Sequence, residues 1–220
     1  MSTTPTAEAD EAMRGLIAAL VETKQFLGFQ YAAWCVCSPS LEANIALAGM
    51  AQEELGHATV MGGLLGDDPR QAVPDKDEQV SWTKWSRASP DRAAVAMIDD
   101  WPQMIMTCLA REAAATATLE ALKHATDSRI TSRARKMVQE ERFHLMFAME
   151  TARSFTALSR ETRQGLAEDY RRALAEAESA LGPAKVLSRL TALGALPAGA
   201  VETRARFLDG LTRRLNDFLS

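Results

Sequence analysis

Two short stretches of this 220-residue chain share one skeleton, "QEELGH" at residues 52–57 and "QEERFH" at residues 139–144. Each places a glutamate three residues before a histidine, Glu54 before His57 and Glu141 before His144. Residues three apart are neighbours on one face of a helix. A single pair of this kind is a common surface feature, but the chain has only three histidines and two of them stand in this frame. The repetition indicates that each stretch supplies part of one metal site.

The composition is that of an ordinary soluble globular protein, with 47% hydrophobic and 25% charged residues and a net charge of −4. This weak negative charge gives no reason to expect nucleic acid or an anionic membrane as the partner. The three cysteines lack the spacing of a zinc site. No apolar run approaches the roughly 20 residues that span a bilayer, and the N-terminus does not resemble a signal peptide. We therefore expect a cytoplasmic protein.

Apolar residues recur at helical spacing through most of the chain, which predicts an all-α protein. We expect a single domain, residues 1–220, with a core four-helix bundle over about 8–157 and further helices over about 160–219. The predicted core helices cover about 8–36, 40–65, a stretch from after Pro90 to about 125 that is interrupted or kinked at Trp101-Pro102, and 128–157. The segment 66–90 is predicted to be a long loop with one short helix at Trp82 to Trp85.

Two predicted hairpins bring a further glutamate opposite each Glu-x-x-His pair. Helices joined by a short turn run antiparallel, so residues equidistant from the turn lie at the same height. Glu22 and Glu54 are equidistant from Ser38, and Glu112 and Glu141 are equidistant from the Thr126-Asp127 bond. Helical spacing to apolar neighbours predicts that all these groups face the interior. Gln25, one turn from Glu22, is the alternative for the first position.

Four carboxylates at one level in a packed interior repel one another, and burial of even one unpaired ion costs several kcal/mol. Two metal ions would remove this conflict. Carboxylate oxygens and imidazole nitrogens suit iron or manganese, and ferritin-like dimetal bundles take one Glu from each of two helices and a Glu-x-x-His from each of the other two. The predicted ligands of two iron or manganese ions are Glu22, Glu54, His57, Glu112, Glu141 and His144. A metal-free polar network is the alternative.

The motifs "MAQEELGH" and "EERFH" resemble those of the ferritin-like superfamily, in particular the catalytic and structural subunits of the bacterial phenylacetyl-CoA epoxidase. The stretch "LGFQYAAWCVCSPSLEANIALAGM" is more similar to the family's non-catalytic partner, which generally has a degraded metal set. This chain differs from that partner because it keeps both Glu-x-x-His motifs. The resemblance covers roughly residues 15–155 and implies a diiron oxygenase more firmly than it implies a particular substrate.

We therefore expect an oxidoreductase that activates dioxygen at two irons to hydroxylate or epoxidise an organic, CoA-linked or aromatic substrate. The sequence contains no flavin, NAD or iron–sulfur motif, so a separate reductase or ferredoxin must supply electrons. The alternatives are a ferroxidase or other iron-handling protein, and a non-catalytic structural subunit of a multicomponent oxygenase. Five apolar residues between 207 and 219 share one face, which either closes the bundle or meets another subunit, and we favour a homo- or heterodimer.

Overall fold

The computed structural model describes residues 5–66 and 98–219, and these residues form an all-α bundle. None of them lies in a strand, which confirms the predicted fold class. Two single turns of 3₁₀ helix, Gly63–Leu65 and Phe155–Ala157, extend two of the helices. The helices are α1 (Pro5–Trp34), α2 (Leu41–Gly62), α3 (Trp101–Leu122), α4 (Ser128–Ser154), α5 (Arg160–Leu181), α6 (Pro183–Ala192) and α7 (Ala200–Leu219).

The first four helices form two antiparallel hairpins, as the sequence predicts. In the turn after α1, the side chain of Ser40 accepts a hydrogen bond from the backbone N–H of Ala43 and so caps the start of α2. Asp127 caps α4 in the same way by accepting from the backbone N–H of Arg129. The hairpins pack against each other through contacts of α1 with α3 and of α2 with α4. The space between the four helices holds the candidate site.

The two helices of the first hairpin approach closely at Gly28. A Cβ atom at this position would lie 2.8 Å from Cγ of Leu55 and 3.4 Å from the backbone oxygen of Ala51. Real Cβ atoms do not come this close to other carbons, so a larger residue would push α1 away from α2. Gly28 therefore sets the spacing of the hairpin that carries half of the candidate site.

Helix α3 is buried on all sides because the C-terminal helices cover the face that the first hairpin leaves open. It packs against α1, α4, α5 and α7, and its alanine-rich sequence lets these neighbours approach closely. The C-terminal apolar stripe closes the bundle, since Leu208, Leu211, Leu215 and Leu219 are buried in the core. These four leucines are therefore not available for contact with another subunit.

At Trp101-Pro102 the structure has an interruption and not a kink, the first of the two alternatives that the sequence leaves open. The helix begins at Trp101, with Asp100 accepting a hydrogen bond of 2.8 Å from the backbone N–H of Gln103. Pro102 therefore lies in the first turn, where its missing N–H costs nothing, and does not kink a longer helix. The predicted helix start after Pro90 and the short helix at Trp82 to Trp85 lie outside the described residues. In the described ranges, no helix is long and apolar enough to cross a membrane.

Candidate metal centre

Four of the predicted ligands meet at one point between α2, α3 and α4. Each offers one ligand atom, and these atoms all lie within 4.8 Å of one another. All four side chains are fully buried. We call this set the four-residue cluster: Glu54, Glu112, Glu141 and His144.

His57, the fifth predicted ligand, lies beside the four-residue cluster. Its Nδ1 atom is 3.0 Å from Oε1 of Glu141 and 3.8 Å from Oε1 of Glu54. The ring is almost completely buried, with 7% of the residue exposed. Both Glu-x-x-His motifs therefore direct a histidine into the same region of the interior.

The residue that α1 contributes to the centre is a lysine. Lys24 is fully buried, and its ammonium group approaches three carboxylates from three different helices. The nitrogen Nζ lies 3.1 Å from Glu54, 3.2 Å from Glu112 and 2.7 Å from Glu141. A positive charge therefore stands among the carboxylates where the sequence predicted a fourth negative one.

Glu22, the predicted ligand from α1, does not face the interior. Its side chain is exposed, whereas Lys24 is buried. Two residues along a helix correspond to a rotation of about 200°, so these side chains lie on nearly opposite faces. The turn geometry gave the correct height, but height does not determine which face of α1 meets the cluster. Gln25, the alternative position, is half-buried.

The burial pattern of α1 explains this outcome. Leu20, Leu27 and Tyr31 are fully or almost fully buried, and Lys24 lies four residues after the first and three before the second. Lys24 is thus on the core stripe of the helix. The spacing of this stripe is visible in the sequence, but a lysine is rarely buried without a partner, so the residue type alone does not predict its burial.

The glutamate that precedes each Glu-x-x-His motif has a role that sequence reasoning missed. Nε2 of His144 donates to Glu53 at 2.8 Å, and Nε2 of His57 donates to Glu140 at the same distance. Each motif therefore orients the histidine of the other. With Nε2 held outwards, Nδ1 of both rings faces the carboxylates, which is how a carboxylate orients a metal-binding histidine.

Tyr31 is a second contact from α1. Its hydroxyl donates to Oε1 of Glu112 at 3.0 Å, and its ring meets that of His144 edge to face, with 6.3 Å between ring centroids. Burial and the nearby charge of Glu112 raise the pKa of the Tyr31 hydroxyl well above its usual value. The tyrosine therefore stays protonated and remains a hydrogen-bond donor to Glu112.

The charges at the centre stabilise one another. Burial alone would lower the pKa of Lys24, but three carboxylates raise it above its usual range. Burial would likewise lower the pKa of His57, yet the nearby carboxylates of Glu141 and Glu54 raise it to about 10. The pKa of Glu141 falls well below its usual range because Lys24 and both histidines outweigh burial and the repulsion of Glu54.

A groove of about 800 Å³ runs along α2 and α4 and reaches His144 and Glu53. Its walls carry several large apolar side chains exposed to solvent, among them Ile45, Phe143 and Met146. Exposed apolar residues grouped along one groove commonly mark a binding surface. The groove therefore meets the four-residue cluster at one of its members, His144.

The donor set fits a metal ion chemically. Carboxylate oxygens and imidazole nitrogens are suitable ligands for iron, manganese or zinc. Among the described groups, no well-directed hydrogen bond reaches either oxygen of Glu141 or Oε2 of Glu54, although Glu141 lies close to the lysine nitrogen. These oxygens are in ionic contact with Lys24 and the histidines, and a metal ion could take the place of those contacts. The four-residue cluster could therefore bind a metal ion, while the α1 carboxylate needed for the predicted six-ligand set is replaced by Lys24.

A helical bundle with two inward-facing Glu-x-x-His motifs and a third-helix glutamate defines the ferritin-like class of proteins. More narrowly, the sequence model of the phenylacetic acid catabolic protein family matches residues 1–218, so the chain belongs to that family. No curated protein matches the chain significantly. The family and the buried cluster agree with the resemblance inferred from the motifs alone.

Proposed function

We propose that this chain is the metal-dependent subunit of an oxygenase that uses dioxygen to hydroxylate or epoxidise an organic substrate. The observation that carries this proposal is the convergence of both Glu-x-x-His motifs with Glu112, with both Nδ1 atoms directed inwards. Membership of the phenylacetic acid catabolic protein family supports oxidative chemistry on an organic molecule. When bound, iron or manganese would supply the activation of dioxygen.

The protein groups would hold and orient that centre. Glu54, Glu112, Glu141 and His144 are the proposed ligands of one ion, with His57 as a further ligand from α2. Glu53 and Glu140 would keep the two imidazole rings in the binding orientation. Two irons per chain, the occupancy predicted from the sequence, would need a carboxylate from α1, and we therefore propose one ion for the natural chain.

The groove along α2 and α4 favours an uncharged, apolar or aromatic substrate. Its described lining includes the acidic residues Glu42, Glu53 and Glu150 but neither lysine nor arginine. Phosphate groups are usually bound by basic side chains. The lining therefore offers a surface for an aromatic ring and no partner for the phosphates of a CoA ester. Electrons would come from a separate reductase or ferredoxin, and a homo- or heterodimer would need an interface other than the buried C-terminal stripe.

A non-catalytic subunit is the second candidate, and Lys24 is the observation that favours it. Its ammonium group and the two histidines, whose pKa values are raised, place positive charge against the three buried carboxylates, so the bundle does not need a metal ion to fold. In this role the chain would support a catalytic homologue. The two candidates predict opposite results when iron and dioxygen are supplied.

Anaerobic loading with Fe²⁺, followed by desalting and rapid mixing with dioxygen, distinguishes them. An oxygenase subunit should retain iron, change its absorbance once, and need an external reductant before it reacts again. A Glu141→Gln variant should lose this reaction, and Glu22→Gln, the exposed control on α1, should keep it. Protein that takes up no iron would support the non-catalytic role, and repeated oxidation of many irons without reductant would support iron handling.

A further inference from the structure

Lys24 occupies the position at which a metal ion would contact the four-residue cluster. Its nitrogen is within 3.2 Å of Glu54, Glu112 and Glu141, which belong to three different helices. Those carboxylates are also proposed metal ligands. A single point in the interior is therefore surrounded by the same oxygens whether the cation is an ammonium group or a metal.

Both cations cannot hold these oxygens at once. Metal ions of this kind bind carboxylate oxygens at about 2.0–2.2 Å, whereas an ammonium nitrogen sits at about 2.7–2.9 Å. Two positive charges a few ångströms apart in a buried site would also repel each other by several kcal/mol. One cation must leave before the other is bound.

We propose that Lys24 and a metal ion are alternative occupants of the four-residue cluster, so that the lysine side chain must withdraw before metal binds. The resident lysine then lowers the metal affinity of the natural chain and limits its capacity to one ion. It also keeps the bundle intact without metal, because the carboxylates are neutralised in both states. This inference concerns metal binding alone and does not depend on whether the bound centre oxidises a substrate.

Substitution of the lysine tests the competition directly. Lys24→Met keeps most of the side-chain length and removes the charge, while Lys24→Glu supplies the carboxylate that α1 lacks. Glu22→Gln is the matched control, because this residue lies on the same helix but is exposed. Mn²⁺ is a suitable probe, since it binds similar ligands without reacting quickly with dioxygen.

Calorimetric titration with Mn²⁺ and metal counting after desalting provide the readouts. Lys24→Met should bind Mn²⁺ roughly tenfold more tightly than the natural chain, or better, because no buried ammonium has to be displaced. Lys24→Glu should hold two ions per chain, the natural chain no more than one, and Glu22→Gln should match the natural chain. Equal affinity in the natural chain and Lys24→Met, or two tightly bound ions in the natural chain, would overturn the proposal.

A second measurement covers the case in which the Lys24 variants do not fold. In ¹⁵N-labelled natural protein, the Nζ resonance of the buried lysine is followed during addition of Zn²⁺, a diamagnetic probe. Displacement of the ammonium group predicts a large shift or loss of that resonance as the cluster fills. An unchanged resonance at saturation refutes the competition. The proposal is also refuted if the natural chain binds no Zn²⁺ at millimolar concentration and the Lys24→Met variant stays unfolded in the presence of Mn²⁺.

Discussion

Replacement of Lys24 by methionine should destabilise the metal-free protein far more than the same change at an exposed lysine. The three carboxylates around its nitrogen are fully buried and lie 2.7–3.2 Å away. Removal of one partner from a buried ion network leaves uncompensated charge and typically costs about 3–5 kcal/mol of unfolding free energy. In a chain of this size each kcal/mol corresponds to roughly 2–4 °C in Tm.

Chemical denaturation in the presence of a chelator measures this cost. Lys136→Met is the matched control, because Lys136 is exposed and, among the residues that the structure describes, pairs with one carboxylate, that of Glu140 at 3.7 Å. An exposed pair of this kind contributes between about 0 and 1 kcal/mol. The double variant Lys24→Met with Glu141→Gln should recover part of the loss, since it removes one of the unpaired charges. If the unfolding free energies of Lys24→Met and Lys136→Met agree within about 1 kcal/mol, the Lys24 ammonium does not stabilise the buried carboxylates.

Three further outcomes follow from other parts of the structure. Gly28→Ala should lose about 1–3 kcal/mol of stability by overpacking against α2. Gly49→Ala, with open space at its Cβ, should gain about 0.5–1 kcal/mol, so thermal melts should show a lower Tm for the first variant and a higher Tm for the second. Glu53→Gln should weaken Mn²⁺ binding by roughly 10–100-fold because His144 loses the carboxylate that orients it, and unchanged affinity in a calorimetric titration would contradict that role. In chelator-treated protein, the depressed pKa of Glu141 contributes stability above pH 4.5 that disappears as the pH falls. The raised pKa of His57 contributes stability that is complete below pH 6.5 and is lost towards pH 10. Denaturation curves measured at a series of pH values should therefore show both declines in unfolding free energy.

The helical pairing and the height of the site follow from local sequence features. The turns at Ser40 and Asp127 carry side chains that cap the next helix, so the hairpin boundaries are encoded within a few residues. Equal distances from each turn then place Glu112 opposite Glu141 without knowledge of the packing. The periodicity of the apolar residues predicts the all-α class for the same local reason.

The residue that α1 contributes to the site could not be predicted from local sequence features. The residues at helical spacing from Glu22 are half-buried and those at helical spacing from Lys24 are mostly buried, and the two sets lie on nearly opposite faces of α1. Which face meets the cluster depends on how α1 packs against the other helices. A buried lysine is favourable only because carboxylates from distant parts of the chain surround it. The roles of Glu53 and Glu140 depend in turn on the meeting of α2 and α4, a long-range contact.

The most direct measurement of the central claim is the iron content of the natural chain after anaerobic Fe²⁺ loading and desalting, compared with a His144→Ala variant. His144 is a member of the four-residue cluster, and its Nδ1 atom lies 2.9 Å from Glu54 and 3.2 Å from Glu112. If this cluster is the metal centre, the natural chain should retain about one iron and the variant, with a ligand removed, far less. Retention of equal iron by both proteins, or of none by the natural chain, would contradict a metal centre at this position.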